Sequence, residues 1–174
     1  MRKNNFKKTG KSLLTISLLI SGIVLMTSAS FSNKKDGDDV PYPEGFRNWT
    51  HVKTAIIEKG NSAFAHWGGF HHIYGNPKAI DGYQTGKFED GSIIVFDVIE
   101  ALSKDSMVTE GRRKLIDVMV KDSRKYKTTG GWGYEEFPGD SKTERSIGAL
   151  SVTACYNCHA QQKINDNVFS KLRK

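Results

Sequence analysis

The chain has 174 residues, 37% of them hydrophobic and 26% charged, with 17 glycines and 4 prolines. That length holds one ordinary domain plus a short extra segment, and the mixture excludes a multidomain enzyme, a disordered or collagen-like chain and a polytopic membrane protein. The net charge of +7, from 26 Lys and Arg against 19 Asp and Glu, suggests an anionic partner such as nucleic acid until its position is considered.

Residues 2–11 carry Arg2, Lys3, Lys7, Lys8 and Lys11 with no acid, and Leu13 to Met26 is apolar apart from Thr15, Ser17, Ser21 and Gly22. This apolar core falls short of the roughly 20 residues a bilayer span needs, and Thr27, Ser28 and Ala29 supply small residues for a peptidase, so residues 1–29 read as a signal peptide cleaved after Ala29. Export to the periplasm or beyond is expected; left uncleaved, the segment would be an N-terminal membrane anchor. No cysteine lies nearby for lipidation. Cleavage removes five cations and leaves 145 residues with a charge of about +2, which withdraws the support for nucleic-acid binding.

Residues 30–40 (SFSNKKDGDDV) are polar and aperiodic and read as a flexible leader, so the folded domain is expected from Pro41 to the C-terminus. Trp49 to Ile57 and Leu115 to Val120 fit a strand or a short helix and are taken as strands. Gly68 to Tyr74, closed by Gly75, Asn76 and Pro77, and Trp132 to Phe137, closed by Pro138, Gly139 and Asp140, read as strands ending in turn residues. Ser92 to Glu100 is the strongest strand, with β-branched or aromatic residues on both alternating faces, which predicts burial on both sides. Residues 165–172, apolar at 168, 169 and 172, are predicted to form a helix with Asp166 near its start. No long helix separates the strands, so βαβ crossovers are not expected and a sheet of several strands is.

The two cysteines stand in Cys155-Tyr156-Asn157-Cys158-His159, the spacing of covalent c-type haem attachment. Two thiols three residues apart leave the same side of a helical turn and reach the two vinyl groups of one porphyrin. His159 then offers an imidazole nitrogen to the iron as proximal ligand. A zinc site drawing on His51, His66, His71 or His72 lacks a second cysteine pair. A thioredoxin-type centre would sit early in its fold, and a Cys155–Cys158 disulfide leaves His159 unexplained.

Several stretches resemble the cytochrome P-460 family, including its cytochrome c′-beta members: 45–49 (GFRNW), 70–74 (FHHIY) before Asn76 and Pro77, 85–91 (TGKFEDG), 120–126 (VKDSRKY), 132–134 (WGY), the haem motif, and 166–169 (DNVF). The resemblance implies a mainly β (α+β) fold, an antiparallel sheet with a few short flanking helices and a C-terminal haem-attachment helix, usually a homodimer, with one five-coordinate c haem per chain and an open distal site. Hydroxylamine-oxidising members cross-link a lysine to the porphyrin where this sequence has Phe96, so the chain resembles the c′-beta branch, in which apolar aromatic residues cap the haem. On that reading Phe96 is a distal cap, with Phe70 and Trp67 completing a lid or packing in the core. The pocket would then take small neutral gases, nitric oxide or carbon monoxide.

Asp117 falls near an acidic residue used for proton transfer in catalytic members, and reads either as that relay or as a solvated strand carboxylate. Arg47 reads either as a haem-propionate partner or as half of a surface ion pair. His66, His71, His72, Met107 and Met119 are the residues able to supply a sixth ligand, which would make the protein an electron carrier passing electrons to a partner cytochrome. His71 and His72 alternate along a strand, so only one of them can face the haem.

Overall fold

The computed structural model describes residues 40–174; the expected signal peptide and nearly all of the 30–40 leader lie outside the described residues. Five strands, β1 (Thr50–Ile57), β2 (Gly69–Gly75), β3 (Ile93–Lys104), β4 (Met107–Lys121) and β5 (Trp132–Pro138), form one antiparallel sheet in sequence order. Short connections make this meander the direct solution, since each strand pairs with the one before it. The two segments that fitted strand or helix are both strands, and β4 runs eight residues further toward its N-terminus than the apolar stretch at 115–120 indicated. Its first half is polar and exposed, so hydrophobicity did not mark it. It pairs with the end of β3 through a tight turn in which Asp105 and Ser106 both take positive φ, the backbone a two-residue hairpin requires.

Both faces of the sheet are covered. On one, Val52, Ile73, Ile94, Met119, Trp132 and Tyr134 pack with Ala79 and Phe88 and with Val168 from the C-terminal tail. On the other, Val95, Ile116, Val118 and Phe137 pack with Val40, Phe46 and Tyr126. β3 contributes to both cores, Ile94 to one and Val95 to the other, as the apolar residues on both its alternating faces predicted.

Helix α1 (Phe64–Trp67) precedes β2, and α2 (Pro77–Thr85) follows it. Asn76 caps α2 by accepting from the Ala79 amide at 2.9 Å, with Pro77 in the first turn, so two residues read as a turn also start a helix. A helical segment near the C-terminus runs as a π turn (Ser151–Tyr156), then α3 (Asn157–His159), then a 3-10 stretch (Ala160–Asn165).

The helix expected over 165–172 is not formed. Asp166 and Asn167 take φ of 51° and 64°, which ends the helical segment. Beyond them the tail is non-helical: Val168 is buried, Leu172 packs on the same core, and the Arg173 amide bonds to the Val52 carbonyl at 3.2 Å. The apolar positions here reflect packing of Val168 and Leu172 on the core and of Phe169 against His159.

Candidate haem site

Strand register builds the cavity floor. Ile94 on β3 pairs with Met119 on β4, which pairs with Tyr134 on β5; one i, i+2 step along, Phe96 pairs with Asp117, which pairs with Glu136. The two rows share a face and lie about 6.8 Å apart along the strands. The helical segment closes over them, leaving a cavity of about 430 Å3 lined by both rows and by Trp67, His71, Cys155, Cys158, His159 and Phe169 among others. Ligand cavities span roughly 300–1,000 Å3.

The first row carries the imidazole. The His159 ring lies 5.1 Å from that of Tyr134 and 5.1 Å, edge-on, from that of Phe169. Its Nδ1 donates to the Asn167 carbonyl at 2.8 Å, so Nε2 keeps its lone pair. Burial lowers the pKa of His159, only partly offset by that hydrogen bond, and favours the neutral form a metal ligand must have. The segment is tied down at its start by Glu135, a buried carboxylate whose Oε1 accepts from the Ile147 amide at 2.9 Å.

The second row carries acids. Asp117 accepts from Trp67 Nε1 at 2.8 Å, and Glu136 Oε2 lies 2.6 Å from His66 Nε2. Burial, then the charge of Glu136, pushes the Asp117 carboxyl up to about 8, against the Trp67 hydrogen bond. A carboxylic acid held neutral near pH 7 can donate a proton inside the cavity. His66 has 52% of its side chain exposed, so the chain His66, Glu136, Asp117 leads from solvent to the cavity.

Among the residues singled out in the sequence, Cys155, Cys158, His159, Phe96 and Asp117 meet at the cavity, with Trp67, His66, His71 and Met119. Asp117 is therefore not a solvated strand carboxylate. Phe70 faces away: it stacks on His72 at 5.7 Å on the opposite side of β2, and the strand alternation that brings His71 and Phe96 edge to edge excludes it. Arg47 is not a propionate partner. It pairs with the fully buried Asp97 at 2.6 Å, together with Arg113 at 2.8 Å, outside the cavity lining. Asp97 lies on the odd-numbered face of β3, opposite Phe96, and that burial calls for cationic partners. His72 pairs with Glu110, and Met107 is 61% exposed on the hairpin. Glu136 was not anticipated; the signal was two adjacent acids inside an otherwise apolar strand, one of which must face inward whichever side is buried.

The cavity chemistry fits a covalently held porphyrin iron. Both cysteines and His159 line it, and the Tyr134 hydroxyl is buried without a partner. The Cys155 thiol is pushed up to about 12, chiefly by burial and further by Asp117 and Glu136, which suits neither a thiolate zinc ligand nor a redox nucleophile. Among the described residues no group of three or more His, Cys, Asp or Glu is placed to hold a metal ion by itself.

A haem-attachment sequence set against an antiparallel meander, with no bundle of helices around it, defines a c-type cytochrome of β architecture. The chain belongs to the cytochrome P460 family, whose model matches residues 43–170. Members hold one covalent c-type haem with its iron, and Cys155, Cys158 and His159 are the residues that would hold it here. No curated protein matches the chain.

Proposed function

We propose that this chain is an exported mono-haem cytochrome of the c′-beta kind, with five-coordinate iron on His159 and a largely apolar pocket that binds a small gas such as nitric oxide. The observation that carries this reading is Phe96 at the cavity, one strand step from the row that holds His159. The haem supplies an iron that takes up diatomic ligands and exchanges single electrons. The protein's part is to exclude water and charge, and Phe96, His71 and Trp67 do so with rings. Of the groups able to give a sixth ligand, His72 pairs with Glu110 and Met107 is exposed on the hairpin, both outside the cavity lining, while His66 Nε2 pairs with Glu136 and His71 Nε2 donates to the Trp67 carbonyl.

Ferric and ferrous absorption spectra of the mature haem protein, with and without nitric oxide or carbon monoxide, test this. High-spin ferrous haem that shifts on gas addition supports it; a low-spin spectrum indifferent to gas refutes it in favour of electron transfer. Export, a redox partner cytochrome and a homodimer belong to the same reading, and fractionation and sedimentation test them.

The paired acids favour a second reading, an oxidoreductase acting on hydroxylamine or nitric oxide. Oxidising hydroxylamine releases protons as well as electrons, and Asp117 in its ionised form would accept one at Oδ while Glu136 and His66 pass it outward. Phe96 stands against the cross-linked form of that chemistry. Turnover of hydroxylamine with an artificial electron acceptor, abolished in D117N, would establish it; no turnover would remove it.

A further inference from the structure

Asp166 and Asn167 are consecutive non-glycine residues in left-handed backbone, at φ 51° and 64°. That conformation is disfavoured for an ordinary residue, less so for Asp and Asn, and persists where the surroundings over-determine it. Here every acceptor of Asp166 is taken. Its Oδ1 accepts from Lys121 Nζ at 2.6 Å, its Oδ2 from the Phe88 amide at 3.1 Å, and its backbone carbonyl from Trp132 Nε1 at 2.8 Å. Lys121, 8% exposed, also donates to the Gly130 carbonyl at 3.3 Å and lies 5.0 Å from the Trp132 ring centroid. Gly130 has φ 68°, and a Cβ there would fall 2.5 Å from Asn167 Nδ2. The Asn167 amide bonds back to the Gln162 carbonyl at 2.9 Å. The Asn167 carbonyl, held from all these sides, accepts from His159 Nδ1.

We propose that the largely buried Lys121–Asp166 pair is a strut that sets the ligand strength of His159, by fixing the Asn167 carbonyl against Nδ1. Lys121 and Asp166 are positioning residues: neither touches the cavity, and both act through Asn167. A buried ion pair adds little net stability over an apolar pair, so one spent on a strained turn directly behind the imidazole serves geometry. Phe88, Lys121, Trp132 and Asp166 come from four separate stretches of the chain, and the turn is where they converge. A short, aligned Nδ1–H···O=C bond makes the imidazole more basic and so favours ferric iron. The inference rests on His159 as the iron ligand and is independent of which small molecule the cavity takes.

The test compares the haem-loaded wild type with D166N and with the double variant K121M/D166N. D166N keeps an acceptor for the Phe88 amide and a residue tolerant of left-handed backbone; the double variant removes the ion pair without leaving a charge buried. The reduction midpoint is expected to rise, the ferrous iron–histidine stretching band to fall in frequency, and displacement of His159 from iron by nitric oxide to become about tenfold faster. Folded, haem-loaded variants with lower thermal stability but an unchanged midpoint would overturn the proposal, because that is what a merely structural pair gives. The midpoint is readable whatever the coordination number, so failure of five-coordination and failure of the strut are separate results. If the double variant does not fold, the midpoint of D166N decides.

Discussion

Asp117 on β4 and Glu136 on β5 are cross-strand partners that both line the cavity. Two like groups this close cannot both ionise without cost, and burial adds to the penalty, so the pair retains a proton where isolated carboxyls would have lost it. The Trp67 indole and the His66 imidazole orient the two acids from α1.

The retained proton makes stability depend on pH. The folded pKa of Asp117 is raised from 3.8 to about 8, so its contribution is fully present below about pH 4 and is lost as pH rises through about 8. D117N cannot lose it. Thermal unfolding midpoints of the two proteins should diverge in favour of D117N between those limits, and parallel curves would show that Asp117 ionises normally.

Replacing Phe96 by Ala should open the cavity. Carbon monoxide association measured by flash photolysis is expected to speed up about tenfold, equivalent to about 1.4 kcal/mol of barrier. Loss of the ring's burial should lower stability by about 2 kcal/mol. An unchanged rate would place the barrier to gas elsewhere than Phe96.

Arg113 and Arg47 compensate the fully buried Asp97, but Arg113 has only 12% of its side chain exposed and Arg47 has 51%. R113M should destabilise by about 3 kcal/mol, as breaking a buried pair does, and R47M by clearly less. Urea titration measures both. Neither should alter the haem absorption spectrum, and a spectral change in R47M would return Arg47 to the porphyrin.

Haem retention should follow the thiols one bond at a time. C155A and C158A each leave one sulfur for attachment, whereas the double variant C155A/C158A leaves none. Haem staining on a denaturing gel should persist in the single variants and vanish in the double one. Covalent haem in the double variant would exclude thioether attachment.

The five strand segments were legible in the sequence because each is written in neighbouring residues, as alternation or an apolar run over six to nine positions, whereas their antiparallel pairing was implied only by the family resemblance. The exceptions are instructive. The polar half of β4 is a strand only because the end of β3 lies beside it, and residues 165–172 lost their helix where Asp166 and Asn167 take left-handed backbone and Val168 and Leu172 pack on the core.

What lay beyond the sequence was which distant groups meet. Glu136 reaches Asp117 through one register of β4 against β5, and Arg47 reaches Asp97 across 50 positions. Phe96 faces the cavity while Phe70 does not, because pairing of β2 with β3 assigns each alternating side chain to a face. The strand segments and the attachment motif depend on near neighbours and could be read along the chain, whereas the electrostatics of the cavity and the hold on His159 depend on burial and cross-strand proximity, which are properties of the assembled sheet.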